Sequence, residues 1–342
     1  MKHIAVLGAG SWGTALAVTL ARKGLLVNLW ARRQEQVDEI NTLRENVKYL
    51  PEVVLPDNIK ATTNLEEALT NAEDIVLAVP SHSTRNIIQM IKNYLKPNSA
   101  IINTAKGIEP ETLLRLSQVA EEEIPGISSR FAVLSGPSHA EEVGKAMPTA
   151  VVVASSSRKT AERFQELFFS PTFRVYTNPD VIGVEVSGAL KNVIALATGI
   201  SVGLGFGDNT AAALVTRGMT EIARLGVKMG ANPLTFAGLT GIGDLVVTCT
   251  SRHSRNRRTG IALGQGQSLE NILSEMNMAV EGVRTTKAIM KLKEKYNVNL
   301  PISEEVYKVL FQGVNPKDGV INLMTRDPVK EIEEVVLDDW DW

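Results

Sequence analysis

The sequence predicts a doubly wound α/β domain over residues 1–180, followed by an all-α domain over residues 181–342. Its 342 residues exceed the ~100–200 typical of one domain. Short apolar runs alternate with helical stretches as far as residue 178, which is typical of strands covered on both faces of a parallel sheet. Beyond Asn178-Pro179-Asp180 the sequence instead contains long stretches rich in Ala, Leu and Val, which predict buried helices.

Each predicted strand of the first domain is a short, continuous apolar run: His3–Leu7, Leu26–Trp30, Asp74–Val79, Ala100–Asn103, Phe131–Leu134, Ala150–Ala154 and Phe173–Tyr176. Helices are predicted over Thr14–Lys23, Val181–Thr198, Thr210–Met229, Met278–Tyr296 and Ser303–Phe311, with Pro301 suited to a helix start. The last stretch, Glu331–Trp342, carries six acidic residues and no basic one, and is expected to form a solvated tail.

Composition excludes several classes of protein. With 36 Lys and Arg against 38 Asp and Glu, the net charge of −2 gives no general attraction to nucleic acid or anionic lipid. The single cysteine, Cys249, cannot form an internal disulfide, which favours a reducing compartment. Glycines interrupt the apolar N-terminal stretch, and no uninterrupted apolar run reaches the ~18 residues of a membrane span. We therefore expect a cytoplasmic protein without membrane insertion.

A glycine motif, Gly8-Ala9-Gly10-Ser11-Trp12-Gly13, directly follows the first strand and precedes a helix. Glycines there permit a tight turn, close approach of the backbone to a pyrophosphate, and close contact between helix and strand. The helix N-terminus then offers N–H groups to the anion. Such a turn can be purely structural, but its position after a strand predicts a Rossmann-type dinucleotide site with Gly8, Gly10 and Gly13 as contacts.

The end of the second strand indicates which dinucleotide binds. NAD-binding domains usually place a carboxylate there, whereas this sequence continues from Trp30 into Ala31-Arg32-Arg33. A guanidinium fork matches a phosphate, so we expect NADP(H) to be preferred, with NAD(H) possible as a weaker cofactor. The alternative is that Arg32 and Arg33 are merely solvated at a helix start.

Two polar segments follow later strands, where ligands of open α/β sheets bind. Lys106 belongs to the first, residues 103–107, and a surface-loop lysine is the alternative interpretation. The second, residues 135–141, contains Gly136, Ser138 and His139. We expect His139 to be structural, because no companion carboxylate lies at a useful spacing.

A lysine within an apolar helix is the third candidate. Gly188, Lys191, Asn192 and Ala195 share one helix face, where small residues admit a close neighbour. A buried ammonium must find partners or lose its proton, whereas extension of the Lys191 side chain to solvent would be the structural alternative.

The segment after residue 240 contains Asp244 and then four arginines in seven residues, at positions 252, 255, 257 and 258. A nucleic-acid patch is the competing interpretation, but no aromatic residues interleave with these arginines. Arginine binds phosphate in a bidentate manner, so a small phosphorylated substrate fits better. Cys249 has no partner cysteine and is expected to be an inert core residue. His, Cys and Asp residues show no metal-site spacing, so we expect no metal.

Taken in their order along the chain, the motifs described above resemble those of bacterial NAD(P)-dependent glycerol-3-phosphate dehydrogenases. The matching segments are GAGSWGTALA (8–17), NTAKGIE (103–109), SGPSHAEEV (135–143), GALKNVIALATGI (188–200), GDNTAAALVTRG (207–218), LTGIGDLVVTCTS (239–251), SRN (254–256) and VEG (280–282). The family interconverts sn-glycerol 3-phosphate and dihydroxyacetone phosphate for phospholipid synthesis, and its members are commonly homodimers.

The resemblance implies specific roles. Lys191 would be the catalytic acid/base, and substrate contacts would come from Lys106, Gly136, Ser138, Lys191, Asp244, Ser254, Arg255 and Asn256. Cofactor contacts would come from Ser11, Trp12, Arg32, Arg33, Lys106, Ala140, Arg255 and Glu281.

Two alternatives stay open at this point. One is another two-domain NADP-dependent dehydrogenase that acts on a hydroxy acid or sugar acid, and turnover of dihydroxyacetone phosphate distinguishes it. The other is a non-catalytic NADP sensor, which would bind cofactor without turnover. A sensor has no use for a proton donor, so Lys106, Lys191 and Asp244 argue against it.

Overall fold

The computed structural model describes residues 2–275, 280–328 and 331. It divides into two compact units, Met1–Lys106 with Leu116–Val181, and Gly107–Arg115 with Ile182–Trp342. Residues 107–115, which the sequence placed in the first domain, thus belong to the second unit. An ion pair of 2.6 Å between Arg115 and the buried carboxylate of Glu185 holds this segment there. The predicted acidic tail, apart from Glu331, lies outside the described residues.

The first unit is built on an eight-stranded sheet of order β3-β2-β1-β4-β5-β6-β7-β8. Neighbouring strands are parallel except β6 and β7, which are antiparallel. The strands are β1 His3–Leu7, β2 Leu26–Trp30, β3 Ile59–Thr62, β4 Ala72–Leu77, β5 Ala100–Asn103, β6 Phe131–Ser135, β7 Thr149–Ala154 and β8 Phe173–Asn178. Consecutive residues of β1 and β6 are buried, so the sheet is covered on both faces as predicted.

Two features of the sheet differ from the prediction. Strand β3 was missed, because it has only four residues and alternates an exposed Lys60 with buried neighbours. The expected parallel arrangement is wrong for β7 and β8, which are parallel to each other but run opposite to β1–β6. The chain between β6 and β7 contains only a five-residue helix, Ala140–Gly144, and β7 starts at the edge where β6 ends. A parallel partner would have required a longer crossover back to the opposite edge.

The helices of the first unit are α1 Ser11–Arg22, α2 Gln34–Leu43, α3 Leu65–Leu69, α4 Thr84–Ile91, α5 Leu116–Glu123, α6 Ala140–Gly144 and α7 Arg158–Phe168. Short 3₁₀ turns occupy Ser81–Ser83, Lys92–Tyr94 and Ile127–Arg130. Helix α1 is buried from Gly13 to Ala21 and packs against α6. Its small side chains let it lie close to the sheet, so the glycine motif at its start is held on a rigid support.

The described part of the second unit is helical, apart from an isolated β-bridge between Ile108 and Arg115. Its helices are α8 Val181–Gly203, α9 Asp208–Lys228, α10 Pro233–Phe236, α11 Asp244–Thr250, α12 Arg255–Gly264, α13 Leu269–Glu275, α14 Glu281–Tyr296, α15 Pro301–Phe311 and α16 Pro316–Met324. A single π turn, Leu239–Gly243, directly precedes α11. The predicted all-α domain is confirmed, although residues 278–279 of the predicted helix Met278–Tyr296 lie outside the described residues.

Helix α8 is the core of the second unit. It is long and apolar enough to cross a bilayer, as is the stretch Pro233–Thr250, but 89% of its most apolar 18-residue window is buried inside the protein. Side chains of α9, α14 and α15 join it in one hydrophobic cluster. Its apolar character is therefore explained by burial in a protein core.

The carboxylate of Glu221, on α9, caps the N-terminus of α15. It is 2% exposed and accepts hydrogen bonds from the backbone N–H of Ile302, the backbone N–H of Ser303 (3.1 Å) and the Ser303 hydroxyl (2.8 Å). Burial raises the pKa of Glu221 to about 7, although these hydrogen bonds act in the opposite direction. A titratable group thus joins two core helices.

Candidate active site

Two glycines of the motif after β1 are required by close backbone contacts. Gly8 has φ +119°, and a Cβ atom there would lie 2.5 Å from the carbonyl oxygen of Ala78. A Cβ atom on Gly13 would lie 1.8 Å from the carbonyl oxygen of Gly8. Any side chain at either position would therefore open the turn.

The turn presents a helix N-terminus to an anion. Gly10 is the N-cap of α1, and among the described residues its cap has no side-chain hydrogen bond. The first turn of a helix leaves N–H groups without intrahelical acceptors, and α1 has no acidic residue there to satisfy them. The buried Nε1 of Trp12 likewise has no hydrogen-bond partner among the described residues. The residues present thus fit the pyrophosphate of a dinucleotide.

Cationic side chains gather near the end of β2. Arg32 and Arg33 are both exposed, and Arg33 donates to the Tyr49 hydroxyl at 3.2 Å. The Arg33 guanidinium carbon lies 5.8 Å from the centre of the Tyr49 ring, and the Lys48 ammonium lies 5.7 Å from it. Tyr49 and Lys48 were missed from the sequence, because they come after α2 and no motif links them to Arg33. Such a cluster suits a phosphate ester.

Lys106, Gly136 and Ser138 are brought together, as the sequence predicted. The Lys106 ammonium and the Ser138 hydroxyl both donate to the Gly136 carbonyl oxygen, at 3.0 and 2.9 Å. Gly136 has φ +130°, and a Cβ atom there would lie 3.0 Å from the Cα of Val151, so the turn needs glycine. His139 is the N-cap residue of α6, and Ala140, 8% exposed, is the first residue of that helix.

The second unit contains a buried ion pair at the middle of α8. The Lys191 ammonium donates to the carboxylate of Asp244 and, at 2.8 Å, to the hydroxyl of Thr248. The three residues are only 5%, 1% and 5% exposed, which excludes extension of the lysine to solvent. The Thr248 hydroxyl donates in turn to the Asp244 carbonyl at 2.6 Å. Thr248 was missed from the sequence, although it lies one helical turn after Asp244 on α11.

A π turn lies immediately before Asp244. It inserts an extra residue at Leu239–Gly243, and a Cβ atom on Gly241 would lie 2.0 Å from the carbonyl oxygen of Phe236. Turns of this type are frequent at functional sites. Here the turn is followed directly by Asp244, whose carboxylate accepts a hydrogen bond from Lys191.

The N-terminus of α12 contains the other predicted substrate residues. The Ser254 hydroxyl caps this helix by accepting from the Arg257 N–H at 3.2 Å. Arg255 is the first residue of the helix and Asn256 the second. The Asn256 amide donates to Asn192 at 2.9 Å and accepts from the N–H of Gly282 at 2.9 Å, next to Glu281. These bonds fix the start of α12 against α8 and α14.

Helices α8 and α12 are in backbone contact. A Cβ atom on Gly199 would lie 2.2 Å from the carbonyl oxygen of Arg257, and one on Gly260 would lie 2.2 Å from that of Leu196. Gly203 and Gly264 make equivalent contacts one turn further along. The position of the arginine-bearing N-terminus relative to Lys191 is therefore set by main-chain contact.

Cys249 is buried in the core, as predicted. Burial raises the pKa of its thiol to about 11, so the thiol stays protonated near neutral pH. Both its burial and its raised pKa agree with a core residue.

These side chains can exchange a proton with a substrate oxygen and can bind phosphate groups. Together with the glycine turn, they define the class of protein as a dinucleotide-dependent oxidoreductase. Family models described as the N-terminus and the C-terminus of NAD-dependent glycerol-3-phosphate dehydrogenase match residues 3–161 and 180–321. The chain belongs to this family.

Full-length relatives agree with this assignment. A protein of Pelotomaculum thermopropionicum named glycerol-3-phosphate dehydrogenase [NAD(P)+] is 59% identical, over 98% of this chain and 96% of the relative. A protein of the same name from Bacillus subtilis is 53% identical, over 98% of both chains. The crystal structure of glycerol-3-phosphate dehydrogenase from Coxiella burnetii is 40% identical, with a TM-score of 0.91 over 95% of this chain and 99% of that one.

Proposed function

We propose that this chain catalyses the reversible NAD(P)-dependent reduction of dihydroxyacetone phosphate to sn-glycerol 3-phosphate, which supplies glycerophospholipid biosynthesis. The observation that carries the proposal is the buried contact of Lys191 with Asp244 and Thr248. Helix α8, which bears Lys191, is in backbone contact with α12, whose N-terminus bears Arg255. The names of the relatives at 53–59% identity agree with it.

Lys191 is the proposed acid/base. Reduction of a ketone requires a proton at the carbonyl oxygen, and oxidation of the alcohol requires its removal. Asp244 and Thr248 fix the ammonium by two hydrogen bonds, so it is oriented before the substrate arrives. The positive charge of the ammonium also stabilises the negative charge that develops on the substrate oxygen.

Arg255 and Asn256 are proposed to hold the substrate phosphate, with Ser254 beside them. The first turn of α12 supplies N–H groups and a partial positive charge, and Arg255 adds a guanidinium. The binding energy of this remote phosphate is available to orient the reacting carbon. Lys106, Gly136 and Ser138 are proposed as further substrate contacts, supported by their convergence on one carbonyl oxygen.

The cofactor is proposed to be NADP(H) in preference to NAD(H), and when bound its nicotinamide supplies or accepts the hydride. Arg33, fixed by Tyr49, and Arg32 would bind the 2′-phosphate. The first turn of α1 would bind the pyrophosphate. The remaining proposed cofactor contacts are Gly8, Gly10, Ser11, Trp12, Gly13, Lys106, Ala140, Arg255 and Glu281.

A cytoplasmic location and a homodimeric state are also part of the proposal. The single buried thiol of Cys249 suits a reducing compartment. The homodimer follows from the family resemblance, and sedimentation of the purified protein tests it.

The decisive assay follows loss of nicotinamide absorbance with purified protein, dihydroxyacetone phosphate and either NADPH or NADH. We expect turnover with both and a higher kcat/KM with NADPH. Turnover of a 2-keto acid in place of dihydroxyacetone phosphate would contradict the substrate assignment. Comparable kcat/KM values for the two cofactors would contradict the assigned role of Arg32 and Arg33.

A further inference from the structure

A fully buried asparagine, Asn46, holds the turn between β1 and α1. It belongs to the segment that connects α2 to β3 and is 0% exposed. Its Nδ2 donates to the carbonyl oxygen of Ala9 at 3.0 Å and to the hydroxyl of Thr14 at 2.7 Å. Ala9 lies within the glycine turn, whereas Thr14 lies one turn into α1. A single side-chain amide therefore ties the turn to the helix that follows it.

The Ala9 carbonyl has a second donor. The half-buried side chain of Gln36, on α2, donates to the same oxygen at 2.6 Å. Two amides thus hold the partial negative charge of this oxygen toward the interior of the unit. In a trans peptide bond the C=O of one residue and the N–H of the next point in opposite directions. Fixing the Ala9 carbonyl inward therefore fixes the Gly10 N–H outward. A Cβ atom on Gly10 would meet nothing within 4 Å, so there is open space beside this residue.

We propose that Asn46 is a positioning residue that holds the Ala9–Gly10 peptide in the orientation that donates its N–H to the pyrophosphate of the dinucleotide, with Gln36 as a second support. The inference rests on the proposed dinucleotide-dependent function. In the opposite orientation the carbonyl oxygen would face the anion and repel it. Without the Asn46 amide, the Ala9 carbonyl and the Thr14 hydroxyl lose a donor, and the turn occupies its binding orientation less often. Apparent affinity falls in proportion to that occupancy.

The chain offers a matched control for Asn46. Asn58 lies in the same connecting segment, and its Nδ2 donates to the carbonyl oxygens of Ala21 at 2.8 Å and Leu25 at 2.6 Å. Ala21 belongs to the last turn of α1, at the other end of the helix from the glycine turn. Asn46→Ala and Asn58→Ala therefore each remove one amide that donates to two acceptors, but only the first acts on the glycine turn.

The experiment measures the Kd of NADPH for the purified full-length protein, from the fluorescence of the bound reduced nicotinamide, alongside the Tm of each variant. We expect Asn46→Ala to raise the Kd about tenfold or more, and Asn58→Ala to leave it within about twofold, even where the two lower the Tm equally. At saturating NADPH, kcat of Asn46→Ala should stay within about twofold of the wild type, because the reacting groups are untouched. Asn46→Asp, which keeps the size but replaces the donor by a carboxylate, should bind NADPH more weakly still.

Equal Kd values for Asn46→Ala and the wild type would overturn the inference, as would an equal loss of affinity in Asn58→Ala. If Asn46→Ala does not fold, the Kd of NADPH is measured for Gln36→Leu instead. This Kd should rise several-fold, and an unchanged Kd overturns the inference. Failure of the wild type itself to bind NADPH would instead overturn the proposed function. The two failures are thus distinguishable.

Discussion

The contact between Glu221 and the start of α15 predicts a specific dependence of stability on pH. Burial raises the pKa of this carboxyl from its ordinary value of 4.5 to about 7. The native state thus holds the proton more tightly than the unfolded chain, so the contribution of Glu221 to stability falls as pH rises from about 4.5 to 7 and does not change further above that range. The size of the shift corresponds to about 3 kcal/mol in the free energy of unfolding.

The perturbation that isolates this contribution is Glu221→Gln. The amide has a similar shape and does not titrate, so the variant loses this component of the pH dependence. Relative to the variant, the wild type should lose about 3 kcal/mol of unfolding free energy between pH 4.5 and pH 8. Denaturant unfolding followed by circular dichroism measures it at closely spaced pH values, since the second unit is predominantly helical. Glu270→Gln, at an exposed position on α13, serves as the control and should follow the wild type.

Parallel stability curves for Glu221→Gln and the wild type would refute this reasoning. A direct titration of the Glu221 carboxyl by carbon NMR supplies an independent readout. A midpoint near 4.5 in the folded protein would show that the hydrogen bonds from Ile302 and Ser303 fully offset the cost of burial.

Three further predictions concern the candidate active site and the contact between α8 and α12. Lys191→Ala should lower kcat by about 10²–10⁴-fold and leave the Kd of NADPH nearly unchanged; near-normal turnover would disprove the acid/base assignment. Arg255→Ala should raise the KM for dihydroxyacetone phosphate on the order of tenfold or more, because a charge-assisted hydrogen bond is removed; an unchanged KM would place the phosphate elsewhere. Gly260→Ala should destabilise the protein by about 1–3 kcal/mol, since its methyl group would lie 2.2 Å from the Leu196 carbonyl oxygen; a wild-type Tm would show that the two helices separate freely.

Much of the sheet was predictable because its strands are buried on both faces. The limits of β1, β2 and β5 agree with the sequence prediction to the residue, since each is a continuous apolar run bounded by polar or small residues. Strand β4, Ala72–Leu77, begins and ends two residues before the predicted Asp74–Val79. The reversal of β7 could not be predicted from local pattern, since a buried strand has the same composition in either direction.

The candidate active site was predictable where a residue type is unusual for its surroundings. A lysine in an apolar helix and an aspartate after two glycines stand out in the sequence, and the structure brings Lys191 and Asp244 together. Thr248 and Asn46 do not stand out, because a threonine in a helix and an asparagine in a loop are common. Their importance depends on partners far away in the chain, which only the tertiary structure shows.

The glycine contacts between α8 and α12 have a consequence for which molecules can react. Main-chain atoms in direct contact cannot slide past each other, so the position on α8 that bears Lys191 and the N-terminus of α12 keep a fixed separation. With the proposed roles of Lys191 as acid/base and of that N-terminus as phosphate site, a substrate with one more or one fewer carbon before its phosphate would fit only one of the two. Backbone geometry would then contribute to the selection of substrates by chain length.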